Sequence, residues 1–87
     1  MELMKLRGQI RAGMFPNERV FTVEDSQGKT YALIVWAEDL EDVSEEEATI
    51  EVRLLFADNG LSLVKLRGED IGSGYTVSIP THQLQPA

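Results

Sequence analysis

Between Met4 and Arg11 apolar and polar residues alternate one for one: Met4, Leu6, Gly8 and Ile10 against Lys5, Arg7, Gln9 and Arg11. Successive side chains of a strand point to opposite faces, so a period of two predicts a half-buried strand with a basic outer face. The period returns at Ile50, Val52, Leu54 and Phe56 against Glu51, Arg53 and Leu55. Two further stretches, 19–24 and 30–36, are rich in β-branched and aromatic residues, and Asp25-Ser26-Gln27-Gly28 between them suits a hairpin turn with Gly28 at positive φ. Asp58-Asn59-Gly60 is the strongest hairpin signal, because both central residues of a type I′ turn need positive φ. It leads into a strand over 61–66, and a sixth strand over 75–79, beginning at Tyr75, is closed by Pro80 after a Gly72-Ser73-Gly74 loop. Turn signals about every eight to twelve residues predict an all-β fold, a six-stranded antiparallel small barrel or sandwich. Tyr31–Trp36 contains no charged residue and reads as a central strand buried on both faces.

Length and charge narrow this further. Eighty-seven residues suit one domain spanning 1–87, one that buries roughly 64% of its unfolded surface and so has little stability to spare. The absence of cysteine removes disulfides and thiolate chemistry and fits a reducing compartment, so the cytoplasm is the expected location. Glu2, Lys5, Arg7 and Arg11 interrupt any signal-peptide core, and no apolar run is long enough to span a membrane. The net charge of −7 is concentrated in one window: 38–47 holds seven acids, Glu38, Asp39, Glu41, Asp42, Glu45, Glu46 and Glu47, and no base. This insert is expected to be a short helical turn or disordered, since Ser44 and Glu47 have capping-box spacing. A helix from Ser44 to Asn59 competes with the strand over 50–56, but Thr49, Ile50 and Val52 are β-branched and favour the strand.

No motif carries catalytic chemistry. Gly28-Lys29-Thr30 ends like a phosphate-binding loop, but the first glycine of that motif would fall at Val23 and a strand follows. His82 is the only histidine and has no fixed partner near it in sequence. Zinc would need an uncommon carboxylate-rich ligand set, and the acidic window lacks the glycine and aspartate ladder of a calcium loop. No cofactor or metal is expected, and the chain reads as non-enzymatic. The basic positions Lys5, Arg7, Arg11, Arg53, Lys65 and Arg67 leave a nucleic-acid-associated barrel as a minor alternative, but the net charge repels a polyanion.

Val77-Ser78-Ile79-Pro80 followed by Thr81-His82-Gln83-Leu84 resembles the closing strand and turn of SH3-like small barrels. The resemblance covers about eight residues and implies fold alone. The functional expectation is a protein-interaction module, self-associating as a dimer or meeting a basic protein, through strand edges, the Met14-Phe15 loop and the acidic window. In the dimer, the acidic window of one copy would meet the basic strand face of another, which predicts salt sensitivity. The alternative is a small-ligand barrel with Tyr31, Trp36, Tyr75 and His82 around its site; small barrels usually fill their interior with side chains.

Overall fold

The computed structural model describes residues 2–66 and 76–87; Tyr75, Arg67 and the Gly72-Ser73-Gly74 loop lie outside them. Strands β1 (Glu2–Ala12), β2 (Glu18–Glu24), β3 (Thr30–Trp36), β4 (Glu47–Asp58), β5 (Leu61–Lys65) and β6 (Thr76–Pro80) form one antiparallel sheet in the order β3-β2-β1-β4-β5-β6. The all-β, six-stranded expectation holds. A 3-10 turn, Thr81–Gln83, then leads into a short seventh strand, β7 (Leu84–Pro86), which pairs with β1. The closing strand and turn implied by the resemblance are therefore present.

Sheet curvature comes from how β1 is shared. One edge carries β4 from Glu2 to Gln9; the other is divided between β7 at Met4–Leu6 and β2 at Gln9–Ala12. Where the second edge changes partner, Gly8 lets the Phe21 ring lie against the strand, since a Cβ there would stand 2.7 Å from the Thr22 carbonyl oxygen. The curl is stitched again at the β2–β3 turn, whose Ser26 N–H donates to the Ser78 carbonyl of β6 at 2.7 Å. Inward residues of every strand, among them Leu6, Phe21, Leu33, Val52, Val64 and Ile79, meet in one buried cluster.

Turn chemistry follows the sequence. Asn59 and Gly60 have φ of 52° and 79°, as a type I′ turn demands, and Gly28 has φ of 87°. Residues 47–58 are strand and not helix, with the pairing register slipping by one between Leu54 and Phe56. The Ser44–Glu47 spacing produces its cap bond, with the Glu47 N–H donating to Ser44 Oγ at 3.2 Å, but β4 starts there and no helix does. The helical turn of the acidic insert lies earlier, as a 3-10 turn at Ala37–Asp39.

One expectation is overturned. The Tyr31–Trp36 stretch does not form a central strand buried on both faces: among the described residues β3 pairs only with β2 and ends the sheet. Leu33 and Val35 are buried, whereas Ala32, Ile34 and Trp36 face outward and are exposed.

Candidate functional site

The register of β2 and β3 fixes which main-chain groups are used. Antiparallel pairs alternate between hydrogen-bonded and non-bonded positions. The Asp25 N–H donates to the Lys29 carbonyl at one end, and the Ala37 N–H to the Asn17 carbonyl at the other, both at 2.8 Å. Seven pairs run between them without a bulge, from Glu24 opposite Thr30 to Glu18 opposite Trp36. Residues 31, 33 and 35 therefore bond to β2. Thr30, Ala32 and Ile34 direct their N–H and C=O groups, and Trp36 its N–H, away from the sheet. Among the described residues no strand pairs with that edge.

The same residues supply the side chains of the exposed face. Ile34 is 47% exposed and Trp36 37%, with Val20 directly opposite Ile34 on β2. Natural edge strands are usually blunted by lysine, proline, a bulge or brevity. Thr30–Trp36 has seven residues, no charge, no proline and an unbroken register. A second apolar row, with Phe56 opposite Leu63 on β4 and β5, lies past Leu54, the last β4 residue paired with β1, where the β4–β5 register is broken by the bulge between Leu54 and Phe56.

Next to the end of β3 lies the loop that joins β1 to β2, since the Asn17 carbonyl holds the Ala37 N–H. Met14 is 86% exposed and Phe15 58%. An open groove of about 450 Å³ runs beside them, bordered by Ile10, Pro16, Arg19 and Glu45. The two residues of this loop are thus available for contact.

The acidic window folds back on its own chain. Leu40 packs against the core, and Glu41 forms a two-way main-chain bridge with Thr49 at 2.8 and 2.9 Å. Arg7, projecting from the outer face of β1, donates through Nε to Glu47 Oε1 at 3.1 Å and through Nη1 to the Asp42 carbonyl at 2.9 Å and Thr49 Oγ1 at 3.2 Å. Lys5 Nζ reaches Glu41 Oε1 at 3.3 Å. Two of the basic positions on that face are thereby answered within the molecule. Glu38, Asp39, Asp42, Glu45 and Glu46 are exposed and make no ion pair among the described residues.

The other expected positions are dispersed. Tyr31 is partly buried against the core on the inward side of β3, with Lys29 Nζ 5.1 Å from its ring centroid, while Trp36 lies on the outward side. His82 sits exposed on the 3-10 turn after β6, remote in sequence and element from both. Tyr75 is outside the described residues. Among the described residues no group of three or more acidic or histidine side chains converges to hold a metal ion, and no helix is long and apolar enough to cross a membrane. Asp25 organises the turn before β3: its Oδ1 accepts the Gln27 and Lys29 N–H groups, each at 2.9 Å. The Lys29 bond is the main cause that holds its carboxyl below the usual aspartate range, with Gln27, Tyr31 and the Lys29 charge adding and partial desolvation opposing. Strand-edge exposure was the feature sequence reasoning missed, because it depends on sheet order.

No family model, curated protein or solved structure matches the chain.

Proposed function

We propose that this protein is a non-enzymatic interaction module that receives an extended segment of another polypeptide along the outer edge of β3. The single observation that carries the reading is the seven-residue, uncharged, regular edge with its exposed Ala32, Ile34 and Trp36. Strand addition draws affinity from main-chain hydrogen bonds and specificity from alternate side chains. Here the edge supplies the bonds and the outward apolar row, extended by Val20 on β2, supplies the selection. The exposed Met14-Phe15 loop extends the apolar contact beyond the end of the strand. Carboxylates of Glu38, Asp39, Glu45 and Glu46 favour a partner with basic residues flanking its apolar segment.

Site-specific photo-crosslinking in cells tests this reading. A photoreactive amino acid placed at Ala32 should give protein adducts that disappear when Ile34→Lys is added. The same probe at Asn59, in the turn on another edge, should not give them. Equal adducts at both positions, or adducts indifferent to Ile34→Lys, would remove β3 as the binding edge.

A further inference from the structure

The edge of β3 has a chemically suitable partner in a second copy of itself. We infer that two copies pair antiparallel through β3, joining their sheets across a two-fold axis; this rests on the strand-addition reading and names its occupant. Three features lead to it. An antiparallel self-pair uses the outward N–H and C=O groups of Thr30, Ala32 and Ile34 on both copies at once, because residues of equal parity face each other. The edge holds no charge to repel its own image. The third feature is complementarity at the ends: Lys29 precedes β3, and the 3-10 turn with Glu38 and Asp39 follows it. Running the strands in opposite directions brings Lys29 of each copy to the acidic turn of the other. Within the molecule Lys29 lies over the Tyr31 ring, its Nζ 5.1 Å from the centroid, and forms no ion pair among the described residues.

The register that leaves no residue of 30–36 unpaired is centred on Leu33. It sets Ala32 of one copy opposite Ile34 of the other, and Thr30 opposite Trp36. All four outward side chains then lie on one continuous face, with Ile34 and Trp36 from each copy covering the junction. The inward residues Leu33 and Val35 stay in the two separate cores. This differs from a dimer built on the acidic window and the basic face of β1, whose Lys5 and Arg7 are already bound to Glu41 and Glu47 of their own chain.

The lack of cysteine makes the register directly testable. Opposed residues of a hydrogen-bonded antiparallel pair have Cα atoms about 5.5 Å apart, within the roughly 4.4–6.8 Å span of a disulfide. Identical positions in the proposed register are instead staggered by two residues, about 7 Å along the strands. Oxidising a mixture of Ala32→Cys and Ile34→Cys chains should therefore give the mixed disulfide dimer in large excess over either homodimer. Sedimentation velocity on the wild-type chain at micromolar to 100 micromolar concentrations should show a dimer that persists in 0.5 M NaCl, where charge docking is screened. Ile34→Lys should yield a monomer with an unchanged circular-dichroism spectrum. Random disulfide ratios overturn the register, and a dimer that dissolves in salt overturns β3 pairing in favour of charge docking. A monomer whose Ala32 photo-adducts still depend on Ile34 overturns self-pairing alone and leaves the strand-addition reading standing. A monomer without such adducts overturns both.

Discussion

Asp25 shows how one side chain sets the geometry on which the candidate edge depends. Its carboxylate accepts the N–H groups of Gln27 and Lys29 and so shapes the turn whose Ser26 reaches β6. Those donors favour the charged form, which is why its folded pKa is lowered from 3.8. A lowered folded pKa means the contribution is complete above the unfolded value and fades as the pH falls from there through the folded one. The Asp25→Asn chain should accordingly melt below wild type at pH 7, and the gap between the two melting curves should close as the pH approaches 2. Gly8 has an equally specific duty. A methyl group there would meet the Phe21 ring and the Thr22 carbonyl, and the latter is main chain that cannot step aside. Gly8→Ala should cost about 1–3 kcal/mol, the usual range for overpacking, measurable by urea unfolding.

At the scale of elements, the acidic arm between β3 and β4 is tied down at separate points: Leu40 against the core, Glu41 on β4 and to Lys5, the Glu46 carbonyl to the Ile10 N–H of β1, and Asp42 to Arg7. Exposed ion pairs contribute little, about 0–1 kcal/mol each, so Arg7 acts mainly through its bonds to the Asp42 carbonyl and Thr49 hydroxyl. Arg7→Met should speed hydrogen exchange at the Glu41 and Ser44 amides while leaving those of β5 unchanged, a local opening with little global loss. The elements themselves were largely legible in the sequence: the period of two marked β1 and β4, and Asp58-Asn59-Gly60 marked the hairpin with its left-handed residues in place. The placement of β3 was not. A run without polar residues has the same appearance whether its second face is covered by the chain's own helices and strands or is left open, as at Ala32, Ile34 and Trp36. Only sheet order separates these cases, and sheet order is long-range information. The partner of Arg7 was hidden for the same reason, since Asp42, Glu47 and Thr49 lie 35 to 42 residues away. The loop at Met14 and Phe15 was marked by the Pro16 interruption, but its exposure was not, since two apolar residues in a loop read equally well as a plug for a barrel end.

At the scale of the whole molecule, β7 joins the far end of the described chain to β1. β7 is three residues long, yet it fills the Met4–Leu6 part of the β1 edge and buries Leu84 in the common core. Leu84→Ala should destabilise the fold by about 2–4 kcal/mol, in line with buried leucine truncations, and chemical unfolding monitored by Trp36 fluorescence would measure it. That pairing also dictates a timetable. The Met4–Leu6 edge of β1 cannot be paired until Leu84–Pro86, some eighty residues later, has been synthesised. At ~5–20 residues per second, translation leaves that edge open for roughly 4–16 s. During those seconds Met4 and Leu6 stand on an uncapped sheet margin, so on the ribosome the nascent chain has an edge to shield that the finished protein no longer presents.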